Sequence, residues 1–516
     1  MSVHARQVPP AGHGEVLCEP RFEEWDATAR ANAAAAAGWP SALAALRAEA
    51  RAEALDRAAA YSESIGSSAA KREAGGLIVA TGHQPTLFHP GVWVKHLLIQ
   101  RFAETYGATG IDVVVDTDAA GRVELTVPCL EPEVRTCGIP LVDAPAQAAY
   151  VQVPAPGPDE RSAFRAAGMA ALSRLPAPAL GRHFDAFCDA LDASAPGVSD
   201  AGSLVTAARR RYERAAGTDY LELPVSVQAR GAAFRRFAAG YLADAEAVRS
   251  AMNAALGAYR ARTGTRSLAQ PFPDLARDGG VTEAPFWVLV DGRRAAAGVD
   301  DHGSLCADGV PMLHLGGSAE EASAALARHD VLLAPKAIVL TLFERLFVAD
   351  LFVHGTGGGR YDRVTDEFIR AYHGIEPPAY AVASMTLLLP LGGRLTTDAE
   401  VSALEERLNR CTHNPDRMLG EIEFDSIEER EAAEALATRK KELVEAIAVA
   451  GADRKELGRE IRETNQALAS AIEPVRREIA AELETVRAAR AACAVLTDRT
   501  YPFCLWDPRE VMDKVR

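Results

Sequence analysis

The stretch Leu77–Gln100 reads LIVATGHQPTLFHPGVWVKHLLIQ. An apolar run enters Thr-Gly-His-Gln-Pro and then Phe-His-Pro-Gly, after which apolar residues recur at helical spacing. That pattern predicts a buried strand turning into an amphipathic helix. Residues 111–121, IDVVVDTDAAG, supply a second apolar run that ends in acidic residues. Strand, helix and strand within about forty residues form the βαβ unit of a parallel sheet.

Outward from this unit, residues 20–75 are rich in Ala, Glu and Arg and predict helix, broken at Gly38 and Pro40. Residues 142–160 carry four prolines and predict a loop or linker. Helical patterns over 160–215 and 229–262 flank LELPVSV, and APFWVLVDGRRAAAGV predicts a hairpin around Asp-Gly. VLLAPKAIVLTLFERLFVADLFVHGTGGG predicts a strand starting near Lys336, a helix and a glycine cluster, with a further helix opening near Tyr361 or Asp362.

The last third changes character. Leu457, Ile461, Thr464, Leu468, Ile472, Val475, Ile479, Leu483 and Val486 follow one another at steps of three or four, a coiled-coil-like stripe. Pro474 is expected to kink it, and Gly451 and Asp453 to mark the bend between two antiparallel helices. The aromatic tail LTDRTYPFCLWDP is expected to pack back on the core. The expected fold is therefore α/β: a Rossmann-like parallel-sheet core with helical insertions and a long C-terminal antiparallel coiled coil. The boundaries read as an N-terminal helical segment (1–75), the core (76–395), the coiled coil (396–492) and the returning tail (493–516).

The totals narrow the function classes. A chain of 516 residues exceeds one compact domain. The formal charge of -15 disfavours nucleic acid as a partner, because binding it requires a basic surface. No uninterrupted apolar run reaches the roughly 18 residues of a membrane span, and the N-terminus lacks the pattern of a secretory signal, so a cytoplasmic protein is expected. The eight cysteines are scattered without C-x-x-C, so neither a structural zinc site nor a disulfide framework is expected.

Chemistry-bearing residues concentrate at the ends of the apolar runs. Gly82 and Gly91 would let backbone approach a ligand, His83 and His89 could donate to a phosphate or carboxylate, and Lys95 adds charge one turn into the helix. His89 and His96 could instead bind metal, but the tight pair and third ligand of a zinc site are missing. Asp116 and Asp118 could hold Mg²⁺ against a diphosphate or orient an amine, and a solvated turn explains them equally. His354, Gly355, Gly357, Gly358, Gly359, Tyr361 and Asp362 form a second candidate cradle, with a flexible hinge as the alternative; Lys336 could offset negative charge. No nucleophilic triad is recognisable.

TGHQPTLFHPGVWVKHLL resembles the Thr-Gly-Gln-Gln segment and following helix of the bacillithiol biosynthesis cysteine-adding enzymes. The likeness covers residues 76–120, is fainter over 333–368 and is architectural beyond. It implies a ligase that joins cysteine to the amine of a glucosaminyl malate, with a core like that of class I aminoacyl-tRNA synthetases and a coiled coil that makes a homodimer. It places Thr81, Gly82, His83 and Gln84 in the active-site cleft, Pro90 and Gly91 at the helix-start turn, and Asp116 and Asp118 near the acidic cluster. His83 stands where the family usually has glutamine, and DTDAAGRVEL lacks the fuller acidic run.

The expected function is a condensing enzyme that joins a small carboxylate, cysteine or another amino acid, to an amine. His83 and His89 would act by charge, Asp116 or Asp118 would hold the amine or Mg²⁺, and ATP or ADP with Mg²⁺ is the expected nucleotide. A nucleotide-sugar transferase using Asp-x-Asp and a non-catalytic coiled-coil scaffold are the alternatives.

Overall fold

The computed structural model describes residues 8–67, 76–130, 134–392, 396–449 and 453–516. The chain forms two units, one of Met1–Val127, Cys137–Pro390 and Arg499–Arg516, the other of Pro128–Thr136 and Leu391–Asp498.

The first unit is built on a six-stranded sheet: β1 (Val16–Glu19), β2 (Ile78–His83), β3 (Thr109–Val114), β4 (Leu221–Pro224), β5 (Leu351–His354) and β6 (Ala381–Met385). Their spatial order is β1-β6-β5-β2-β3-β4. The five strands from β6 to β4 run parallel, and β1 closes the edge antiparallel to β6. The chain moves outward from β2 through β3 to β4, then returns past β2 to lay down β5 and β6. Strand order thus reverses between β2 and β5, the switch point of a doubly wound Rossmann-like fold. Covered parallel strands should be apolar throughout, and Ile78, Val79, Ala80, Ile111, Val113 and Val353 are all buried.

The Ser41–Ser64 helix presents Ala50, Ala54 and Ala58 to the core formed by Ile78, Ile111 and Leu221. Small residues there allow close approach, and buried Arg47 pairs with Asp350 at 2.6 Å. The long connection from β4 to β5 carries the Ala232–Ala243 and Ala245–Thr263 helices and a second, antiparallel sheet. Strands Val281–Val290 and Arg293–Asp300 pair around Asp291 and Gly292, whose positive φ of 48° and 72° fits the tight turn that joins twisted strands.

Two local readings are corrected. Lys336 does not start a strand: Leu333–Pro335 is the strand, and Lys336 is the N-cap of the Ala337–Phe343 helix. The helix expected at Tyr361 or Asp362 begins at Thr356, so Gly357, Gly358 and Gly359 form its first turn. The donors of Gly357 and Gly358 have no intrahelical acceptor, and Gly359 N donates to Gly355 O at 3.0 Å as the helix's first closed turn. The glycines are not a hinge, because β6 follows within the same sheet. The C-terminal tail is buried in this unit, with the Phe503 ring 5.2 Å from Phe88 and 5.4 Å from Trp93.

The second unit contains four helices of at least four turns among its described residues: Asp398–His413, Ile427–Ile447, Arg454–Ala471 and Glu473–Leu496. The first packs on the last through Leu404, Cys411, Val475, Ile479 and Leu483, and the middle two pack on each other. Most of the apolar stripe is covered by the chain's own helices, with Thr464, Leu468, Ile472, Val475, Ile479 and Leu483 buried. The unit shows these paired helices, and a long coiled coil is not shown. The stripe is interrupted at the proline: Arg454–Ala471 ends just before it, and Pro474 lies in the first turn of Glu473–Leu496, where its missing donor costs nothing. Gly451 lies outside the described residues, and Asp453 caps the Arg454–Ala471 helix by accepting from Glu456 N at 3.1 Å.

Cys129 and Cys137 are disulfide-bonded, contrary to the expectation of no disulfide, since their spacing gives no sign of the pairing. The other six cysteines form no disulfide. Among the described residues no helix is long and apolar enough to cross a membrane.

Candidate active site

A cavity of about 690 Å³ opens at the carboxyl ends of β2 and β5. This is where a doubly wound sheet leaves a crevice, because the crossovers depart to opposite sides. Gly82, His83, Gln84, His89, Gly91, Lys95 and Asp118 line it from the first βαβ unit, and His354, Gly355, Gly357 and Gly358 from the second. The N-cap of the Ala337–Phe343 helix adds Lys336.

The Pro90–Tyr106 and Thr356–Phe368 helices start at this cavity, as does the short Ala337–Phe343 helix. His89 caps Pro90–Tyr106, its Nδ1 accepting from Gly91 N at 3.0 Å. This bond fixes the proton on Nε2 when the ring is neutral. Gly355 caps Thr356–Phe368 without a side-chain partner. Helix starts present backbone donors and partial positive charge to whatever occupies the space before them.

Lys95 is 3% exposed and donates to Gly82 O at 2.8 Å. Burial lowers its pKa to about 8, with Asp112 opposing and Arg209 reinforcing the shift. His83 is held still further from its usual state: burial, then the Lys95 charge, brings its pKa down to about 3. It is neutral at pH 7, and its Nδ1–H donates to Gln84 O at 3.1 Å. His83 therefore presents Nε2 as an acceptor, which corrects the expectation that it acts by positive charge.

The two aspartates do not act together. Asp118 pairs with Arg294 and accepts from Gln84 Nε2 at 2.9 Å, at the cavity wall. Asp116 is turned into the core, where it accepts from Ser226 N at 2.9 Å and bonds the Ser226 hydroxyl. Burial raises the Asp116 pKa to about 7. With one carboxylate committed to Ser226 and the other to Arg294, the pair does not fit the Mg²⁺-diphosphate site of the transferase reading. Among the described residues no group of three or more His, Cys, Asp or Glu side chains is arranged to hold a metal.

His354 Nε2 lies 2.9 Å from Asp362 Oδ2. Asp362 is also bound by Arg345 Nη1 at 2.5 Å and by Thr341 Oγ1 at 2.7 Å. Burial pushes the Asp362 pKa up, but Arg345 and His354 outweigh it and hold the carboxyl well below its usual range. Asp362 thus orients His354 and does not itself line the cavity. A Cβ on Gly358 would lie 2.9 Å from His354 Nδ1, so glycine makes room for the ring.

Other sequence candidates have structural work. Thr81 Oγ1 donates to Val353 O at 2.7 Å, tying β2 to β5, and Pro90 is the first residue of its helix. Gly82 admits no Cβ because Val113 O would lie 2.9 Å away; close strand packing, not ligand approach, requires the glycine. Tyr361 lies outside the wall, its ring 5.4 Å from Phe272. Gly359 accepts from Tyr380 OH at 2.9 Å, and it too lies outside the wall.

Sequence reasoning missed Arg499, Arg294, Trp287 and Glu283. Arg499 Nη2 donates to Ser384 Oγ at 2.8 Å and to Met385 O at 2.7 Å, against Gly91. Arg294 and Lys336 lie 4.8 Å and 4.6 Å from the Trp287 ring centre, and Glu283 pairs with Lys336. None of these residues carries a local motif.

Fold and site define a doubly wound α/β protein with a cationic cavity at its switch point. No protein-family model matches the chain, and no curated protein is similar to it in sequence.

Proposed function

We propose that the chain is a ligase-like condensing enzyme that joins a small carboxylic acid to an amine of a small-molecule acceptor. The observation that carries this reading is the convergence of two helix starts and Lys95 on one cavity at the strand-order reversal. Such a place suits a carboxylate or phosphate, because backbone donors and a buried cation replace its water.

Joining a carboxylate to an amine requires an oxygen to leave, so the acid needs an activating phosphoryl or adenylyl group; ATP is the proposed donor. The amine nitrogen attacks the acyl carbon, and the phosphate-bearing oxygen leaves with the bonding pair. His354, fixed by Asp362, takes the proton from the amine. Lys95 and the helix starts hold the charge that builds on oxygen. The resemblance to the cysteine-adding enzymes supports the same reaction class.

The test is acid-dependent release of ADP or AMP by the full chain, supplied with ATP, Mg²⁺, a panel of acids and an acceptor amine. Turnover is expected in the wild type and lost in His354→Asn and Lys95→Met, with folding retained. Anion binding without acid-dependent nucleotide turnover overturns the condensing reading.

A further inference from the structure

The cavity has a second face that an anion site does not explain. Met252 and Leu256, on the Ala245–Thr263 helix, line it together with Phe272 and Leu275 from the following loop and Ile338 and Leu340 from the Ala337–Phe343 helix. These six apolar side chains come from elements inserted between β4 and β5, whereas the buried cation Lys95 comes from the Pro90–Tyr106 helix.

This face is built. Arg260, from the same helix as Met252 and Leu256, donates to Gln270 O at 2.9 Å and to Leu268 O and Phe272 O at 2.7 Å each. It also binds Asp274 at 2.7 Å. Asn253 closes the loop with a reciprocal pair, donating to Leu275 O at 2.9 Å and accepting from Leu275 N at 2.8 Å. One arginine and one asparagine thus bind five backbone groups of the loop, and Phe272 and Leu275 line the cavity. Preorganised apolar surface of this kind rewards an apolar ligand, since no side chain has to be ordered on binding. A small hydrophilic acid such as cysteine would leave that surface against water.

We propose that the acid this cavity takes is an amphiphile: a carboxylate held at the helix starts, carrying an aliphatic or aromatic body against Met252, Leu256, Phe272 and Leu275. The inference rests on the anion-binding reading above and names its substrate class.

The test is calorimetric titration of the full chain with straight-chain carboxylates from butanoate to dodecanoate, and with pyrophosphate as a probe of the anion end alone. Each methylene that enters the apolar face should tighten binding roughly threefold to fourfold until the cavity is filled. Leu256→Trp should shorten the optimal chain, and Leu256→Ala should lengthen it; the second variant keeps the test valid if the first does not fold. Lys95→Met should weaken every carboxylate. Affinity that is flat with chain length and indifferent to both Leu256 variants, yet lost in Lys95→Met, overturns the apolar subsite and leaves the anion site standing. If neither the carboxylates nor pyrophosphate binds the wild type, the anion-binding reading falls and this inference falls with it.

Discussion

The ammonium of Lys95 lies 2.8 Å from the carbonyl oxygen of Gly82, so the backbone at the end of β2 holds a buried cation at the wall of the cavity. With a pKa lowered by burial to about 8, the lysine sits near its neutralisation point at physiological pH. Anion affinity should be steady below pH 8 and fall as the pH rises through it, as the charge is lost. Pyrophosphate titrations at pH 7 and pH 9.5 check this. The folded pKa lies below the ordinary 10.5, so between 8 and 10.5 the unfolded chain binds more protons and this group's contribution to stability rises with pH. Lys95→Met removes the cost of burying the charge and leaves one carbonyl unsatisfied, about 1–3 kcal/mol in the opposite direction. Its melting temperature at pH 7 should match or exceed the wild type while anion binding is lost.

His83 titrates in the opposite window. Its folded pKa of about 3 is below the ordinary 6.5, so between those values the unfolded chain takes up the proton and the folded one does not. Its contribution to stability should fall as the pH drops through 6.5 towards 3. His83→Asn has nothing to titrate. Urea midpoints at pH 7 and pH 4.5 should therefore drop less in the variant than in the wild type.

Asp116→Asn separates a structural aspartate from a catalytic one. The folded pKa of about 7 exceeds the ordinary 3.8, so the folded chain binds more protons between them, and the group's contribution falls as the pH rises through that window. Asparagine keeps an acceptor for Ser226 N and removes the buried charge. Relative to the wild type, the variant should gain stability from pH 5 to pH 8 in thermal melts. Its affinity for pyrophosphate should be unchanged.

Gly358→Ala places a methyl group 2.9 Å from His354 Nδ1 and should turn the imidazole away from Asp362. Overpacking of this kind costs about 1–3 kcal/mol. Acid-dependent nucleotide turnover should fall at least about tenfold, in the range that positioned proton transfer contributes. Pyrophosphate binding should persist, which distinguishes loss of proton transfer from loss of the anion site.

By itself, the sequence determined the parts whose physics is local. The apolar run of Leu77–Ala80, the punctuation of TGHQPTLFHPG and the period of the following segment specify strand, turn and helix through side-chain periodicity and turn chemistry. The Asp291-Gly292 hairpin was legible for the same reason. Tertiary structure alone decided what each candidate faces. Asp116 and Asp118 are two residues apart, yet one enters the core beside Ser226 and the other pairs with Arg294 at the cavity. Arg499 reaches Gly91 from the far end of the chain because the tail packs beside Trp93 and Phe88. The stripe from Leu457 to Val486 marked helices to be covered, and the fold supplied the covering from the same chain. Spacing records which side of an element is apolar; only long-range packing, driven by burial and not by neighbours in sequence, settles which partner covers it and which charges meet.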